Sequence, residues 1–223
     1  MNKKVSMLQL YLTIIAIVNL LVSNIITSKQ IILPFNITMT AGIFVFPITY
    51  ILSDVFSEVY GYKWSRLVCY LSFIANIFMV SVFELVIKAP SPVYWQDQMA
   101  FQTVLGNTPK ILFASMLGFM VGDFVNDKVF KLLKAKHKES HDGFGARAIL
   151  SSLCGEMADS FIFIPIAFLG QMPIQTLIAM MFTQVCLKVG YEIAILPLTK
   201  YIVNKVSAYE NEVGVIKWQT SKI

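Results

Sequence analysis

Charge is scarce in this sequence. Asp, Glu, Lys and Arg make up 14% of its 223 residues, against about 25% in soluble domains. The deficit runs through the whole chain and is broken only by short polar segments, none long enough to fold as a soluble domain. That excludes a dispersed soluble protein and leaves the bilayer as the solvent for most of the chain. Cysteine is also rare. Cys69, Cys154 and Cys186 all lie in apolar stretches with no Cys-x-x-Cys spacing, which excludes a disulfide framework and a zinc site. His137 and His141 are the two histidines. Their spacing suits a helical metal site, but Gly143 and Gly145 follow closely, so a solvated loop is expected, with no metal and no cofactor. No Gly-x-x-x-x-Gly-Lys-[Ser/Thr] run occurs, so the chain is not itself an ATPase.

What is abundant is apolar. Hydrophobic residues reach 57%, and the mean hydropathy is +0.68. A spanning helix needs about 20 mostly apolar residues. Six segments qualify, at residues 8–27, 40–58, 67–87, 110–130, 147–169 and 174–201. The expected fold is therefore an all-α integral membrane protein of six transmembrane helices in one domain, residues 1–223. The first segment follows Lys3 and Lys4 and runs to Ile26 with no small-x-small cleavage site, so it reads as a helix rather than a signal peptide. Pro47, Pro165 and Pro197 fall inside segments two, five and six, where each should kink its helix. The loop 89–108 carries Tyr94, Trp95 and Phe101, an interfacial aromatic pattern.

The net charge of +5 would suggest nucleic acid in a soluble protein; here its placement sets topology instead, and no nucleic-acid partner is expected. With the N-terminus in the cytoplasm, 14 of the 18 Lys and Arg residues fall on the cytoplasmic side, and only Lys29, Lys88 and Lys110 fall outside. The remaining one, Lys188, lies within the membrane. This predicts N-in/C-in in the cytoplasmic membrane of a prokaryotic cell.

Charge at mid-bilayer costs at least about 2.5 kcal/mol, so it marks a partner or a cavity. Asp54 and Glu58 share a face at the end of segment two, near Lys63 and Arg66. Segment four holds Asp123 and Asp127 after Gly118-x-x-x-Gly122, a close-packing signal. Each acid pair precedes an arginine, Arg66 or Arg147, which suggests an internal parallel repeat. Segment five places Glu156 and Asp159 on one face, with Ser152 and Phe163 one turn to either side. Segment six offers Lys188 as counter-charge, and Glu192 one turn on. Asn19, Asn24, Asn76 and Glu84 add further polar groups; for the asparagines, interhelical hydrogen bonding is the default role. Lys188 can neutralise Glu156 or Asp159, which leaves Glu192 in need of a proton or another cation, so Glu156, Asp159 or Glu192 could couple protons to transport.

Three stretches resemble a known family. They are Phe46-Pro47-x-Thr49-Tyr50-x3-Asp54-x3-Glu58-x-Tyr60-Gly61 with Arg66, then Arg147-x4-Ser152-x3-Glu156-x2-Asp159-Ser160, then Lys188-x3-Glu192-x4-Pro197. Together they resemble the YhhQ / VUT family of queuosine precursor transporters, similar in size to the substrate-binding subunits of ECF vitamin importers. The resemblance implies uptake of 7-deazaguanines (7-cyano-7-deazaguanine, 7-aminomethyl-7-deazaguanine or queuine) for tRNA modification, and no enzymatic activity. It implies a purine-like small molecule as partner, beside either a further copy of the chain or an ATPase module. The substrate-binding residues it points to are Glu156, Asp159, Phe163, Lys188, Glu192, Asn76, Asp54 and Arg147. Glu156 or Asp159 would accept from the guanine-type edge. Phe163, better placed than Phe161, would stack on the base. Lys188 or Arg147 would donate to its carbonyl, and Asn76 would read a further edge. Two alternatives stand beside this reading: the substrate-binding subunit of an ATP-driven vitamin importer, and a membrane enzyme using Glu156 and Asp159.

Overall fold

The computed structural model describes residues 5–34, 37–136 and 144–212. His137 and His141 lie outside these, as do Lys3, Lys4, Lys138, Lys217 and Lys222 of the topology count; the side chains of Asp127 and Arg147 lie outside them too, although both residues sit in helices. The elements run α1 (Met7–Ile26), β1 (Gln30–Leu33), β2 (Ile37–Thr40), α2 (Phe46–Val55), α3 (Tyr62–Lys88), α4 (Gln98–Leu105), α5 (Thr108–Lys136), α6 (Phe144–Phe168) and α7 (Ile174–Glu212).

All six expected segments are helical. Helices dominate because, in lipid, each backbone N–H and C=O must find its partner within the same segment. α1, α3, α6, α7 and a stretch through α4 and α5 are long and apolar enough to cross a membrane. α2 is shorter. It continues into a wider turn of π-helix, Phe56–Tyr60, and stops at Gly61, whose φ of 85° favours glycine. Exposed apolar side chains recur along single faces: Ile14, Val18 and Val22 on α1, and Ile74, Phe78 and Leu85 on α3. Such stripes, costly in water, suit lipid contact.

Four features depart from the sequence reading. The segment after α1 pairs as an antiparallel hairpin, Gln30 opposite Thr40 and Leu33 opposite Ile37. The aromatic loop contains α4. α7 runs eleven residues past Tyr201, to Glu212. Pro47 sits in the first turn of α2, where no intrahelical N–H is required, so it starts that helix rather than kinking it. Pro165 and Pro197 do lie inside their helices.

The chain divides into two compact units. Unit 1 comprises Met1–Ile26, Gly42–Leu105 and Tyr191–Ile223. Its core joins Leu52, Val55, Phe56, Val59 and Tyr60 to Val68 and Val206. Polar pairs stitch its helices: the Asn19 amide donates to Thr49 Oγ1 at 2.8 Å, and the Asn24 amide to Asn76 Oδ1 at 2.7 Å. Trp64 Nε1 donates to Thr13 Oγ1 at 3.3 Å. Unit 2 comprises Thr27–Ala41 and Gly106–Gly190, so it holds the hairpin, α5, α6 and the first half of α7.

Candidate functional site

Unit 2 is built on close contact between α5 and α6, and glycine makes the contact possible. A Cβ at Gly122 would lie 2.8 Å from the Gly155 carbonyl oxygen; one at Gly155 would lie 2.9 Å from Asn126 Cβ. A Cβ at Gly118 would lie 2.5 Å from Asp159 Oδ1 and 3.3 Å from Phe163 Cβ. The Gly118-x-x-x-Gly122 pair is thus a packing seam. Its upper end backs directly onto an acidic side chain of α6.

From that seam Asp159 reaches α7. Lys188 Nζ lies 2.8 Å from Glu156 Oε2 and makes a still closer contact with Asp159 Oδ2. Lys188 is buried, and the side chains of Glu156 and Asp159 are only 20% and 19% exposed. The spacing of three residues on α6 puts both carboxylates within reach of one ammonium group. One cation facing two carboxylates leaves the cluster at a formal charge of −1. Between them the two carboxylates offer more acceptor sites than one ammonium group has donors.

Phe163, one turn from Asp159, is buried and meets Phe168 edge-on at 6.1 Å between centroids. Phe161 instead turns toward α7, meeting Phe182 edge-on at 5.4 Å. Between the Lys188 cluster and this aromatic contact lie two residues that the sequence reading did not assign to the site, Ser160 and Gln184. Both are buried, at 0% and 1% exposure, and among the described residues neither Ser160 Oγ nor Gln184 Oε1 has a hydrogen-bond partner. The signal for them was positional: Ser160 is one turn after Glu156, and Gln184 one turn before Lys188.

The structure thus brings together Glu156, Asp159 and Lys188, with Phe163 adjoining. Asp54, Glu192 and Asn76 belong to unit 1. There Asp54 is exposed along its helix and lies within electrostatic reach of Glu192 and Glu58. Asn76 is fully buried, accepting from Asn24 and donating to the Ser72 carbonyl oxygen at 2.8 Å. Among the described residues, no group of three or more His, Cys, Asp or Glu side chains is placed to hold a metal ion.

Comparison with known proteins gives this geometry a family. A stretch of 139 residues is 25% identical to the "Probable queuosine precursor transporter" of Bacillus subtilis (strain 168), covering 62% of this chain and 60% of that relative's length. No solved structure matches. Residues 40–202, nearly three quarters of the chain, match the family described as "Putative vitamin uptake transporter". They take in α2 to α6, α7 as far as Ile202 and every residue of the Lys188 cluster, and on that match the chain belongs to this family of membrane uptake transporters.

Proposed function

We propose that the chain imports queuosine precursors, 7-deazaguanines such as 7-cyano-7-deazaguanine, 7-aminomethyl-7-deazaguanine or queuine, across the cell membrane for tRNA modification. The observation that carries this reading is the buried fork in which one lysine faces two carboxylates. A guanine-type edge presents N1–H and an exocyclic amine side by side. A carboxylate accepts both, and such a bidentate pair is strong in a dry site. Arrival of the base would release one carboxylate from Lys188, whose ammonium group then faces the base's carbonyl oxygen. The exchange keeps every charge partnered, so it need not expose an isolated ion to the membrane interior. The name of the Bacillus subtilis relative supports the same substrate class.

The site would open to each side in turn, as transporters with midplane sites do. Feeding these precursors to a strain that cannot synthesise deazaguanines, with and without this gene, tests the substrate. Queuosine in tRNA should depend on the gene at low precursor concentration; equal incorporation in both strains would sink the claim. The family's description in terms of vitamins favours a second reading, the substrate-binding subunit of an ATP-driven importer. Uptake into vesicles lacking ATP separates the two.

A further inference from the structure

We propose that Ser160 and Gln184 form a second recognition rung that selects free heterocyclic bases over their nucleosides, by pairing with the ring edge that a ribose would substitute. This rests on the deazaguanine reading and deepens it.

Two sets of observed contacts fix the register of α6 against α7. Lys188 meets Glu156 and Asp159, and Phe182 meets Phe161. The helices run antiparallel, so moving one turn up α6 from Glu156 to Ser160 matches moving one turn back along α7 from Lys188 to Gln184. Ser160 and Gln184 therefore share a level bracketed by the ionic contact on one side and the aromatic contact on the other. One turn further, the equivalent positions are Ile164 and Met180, both 0% exposed. The interface is then a ladder: a charged rung, a neutral polar rung, an apolar rung.

The middle rung stands out because Ser160 Oγ and Gln184 Oε1 have no hydrogen-bond partner among the described residues. A buried acceptor or hydroxyl without a partner is destabilising, because its lost hydration is not replaced. Two on one level, next to the Lys188 cluster, are what a site requires whose partner arrives with the substrate. Their chemistry narrows the partner. Gln184 Oε1 accepts, and the Ser160 hydroxyl can donate, so the complement is a ring N–H next to a ring acceptor. On a 7-deazaguanine, the donor–donor edge at N1 and the exocyclic amine belongs with the carboxylates. The edge left over carries N9–H beside N3. The two rungs are one turn apart, about 6 Å along the axis, close enough for long side chains on both to reach one bicyclic base. Ribosylation at N9 removes that donor and adds bulk beside the buried Ser160 and Gln184.

The test is binding of 7-cyano-7-deazaguanine and of its ribonucleoside to the purified full chain, with Gln184→Met and Ser160→Ala beside the wild type. The wild type should prefer the base by at least about tenfold, the discrimination that a site built to hydrogen-bond an N–H achieves against an analogue lacking it. Gln184→Met should weaken base binding by about tenfold or more and erase the preference, and Ser160→Ala should do so more mildly. The melting temperature of Gln184→Met should hold or rise, since a near-isosteric apolar side chain removes an unsatisfied group. Equal wild-type affinity for base and nucleoside overturns the proposal, as does a Gln184→Met variant that keeps the preference. A lowered melting temperature overturns it too, by making Gln184 a structural hydrogen-bonder. In each of those cases base binding by the wild type leaves the deazaguanine reading standing. A wild type that binds neither compound brings down both.

Discussion

At the scale of single residues, the Lys188 cluster is asymmetric in what it tolerates. Its charge is −1 with all three members present. Neutralising one carboxylate leaves a balanced ion pair. Neutralising the lysine leaves two carboxylates at −2, close together and mostly shielded from water. Breaking a buried pair by removing one partner costs about 3–5 kcal/mol, because the other charge is left uncompensated. Lys188→Met should therefore destabilise the protein by about that amount, and Asp159→Asn by markedly less. Thermal unfolding of the detergent-solubilised variants checks the order. Equal losses would mean that the carboxylates do not depend on Lys188. Charge was what made this cluster legible in the sequence: at membrane depth it is expensive, so Glu156, Asp159 and Lys188 stood out and were found together. Ser160 and Gln184 did not stand out, because a hydroxyl or an amide at depth is common and usually bonds between helices. Only the register of α6 on α7 singles them out.

At the scale of elements, the glycines of α5 do two different jobs, and substitution separates them. Gly122 faces backbone across the seam, its missing Cβ 2.8 Å from a carbonyl oxygen that cannot swing aside. Gly118 faces the Asp159 carboxylate at 2.5 Å, a side-chain end that can move, and backbone only at 3.1 Å, the Asp159 carbonyl oxygen. Gly122→Ala should thus force α5 and α6 apart and lower the melting temperature, by the 1–3 kcal/mol typical of overpacking. Gly118→Ala should spare more of the stability while displacing Asp159 from Lys188, so its loss should appear in substrate uptake. At Gly190 on α7 an added Cβ would meet no atom within 4 Å, so Gly190→Ala should hold or raise stability through helix propensity alone. Melting curves and uptake on the three variants decide it; a Gly118 variant as unstable as the Gly122 variant would remove the distinction. Hydropathy located each long helix here, since 20 apolar residues have few other uses. It missed the 30–40 hairpin and α4 because both are too short for a spanning signal, and the hairpin's pairing depends on two strands meeting rather than on either alone.

At the scale of the whole molecule, the open matter is how many times the chain crosses. Among the described residues, five helical stretches are long and apolar enough by themselves, and five crossings would put the two ends on opposite sides. Unit 1 argues for six. The Ser6 hydroxyl, just before α1, donates to Glu210 Oε1 at 2.5 Å, near the end of α7; the Tyr60 hydroxyl, at the end of the α2 segment, donates to the same oxygen at 2.8 Å. All three residues are buried. The start of α1 and the end of α7 therefore lie at one level within unit 1, which supports an even number of crossings. Tyr60 lies at that level as well, so on the six-crossing reading the segment from Gly42 to Tyr60 carries the chain back across after α1. Its turn of 3-10 helix at Ala41–Phe44 and the π-helical end at Phe56–Tyr60 extend α2 along that path. The proposed topology takes that side, where the excess of Lys and Arg is expected, as the cytoplasmic one. A reporter active only in the cytoplasm, fused after Ile223, should be active, and so should one inserted after Gly61; one inserted in the 89–97 loop should be silent. A silent C-terminal fusion beside an active insertion after Gly61 would mean that the count of crossings after α2 is odd in a way the Ser6–Glu210 bond forbids, and the topology would have to be redrawn.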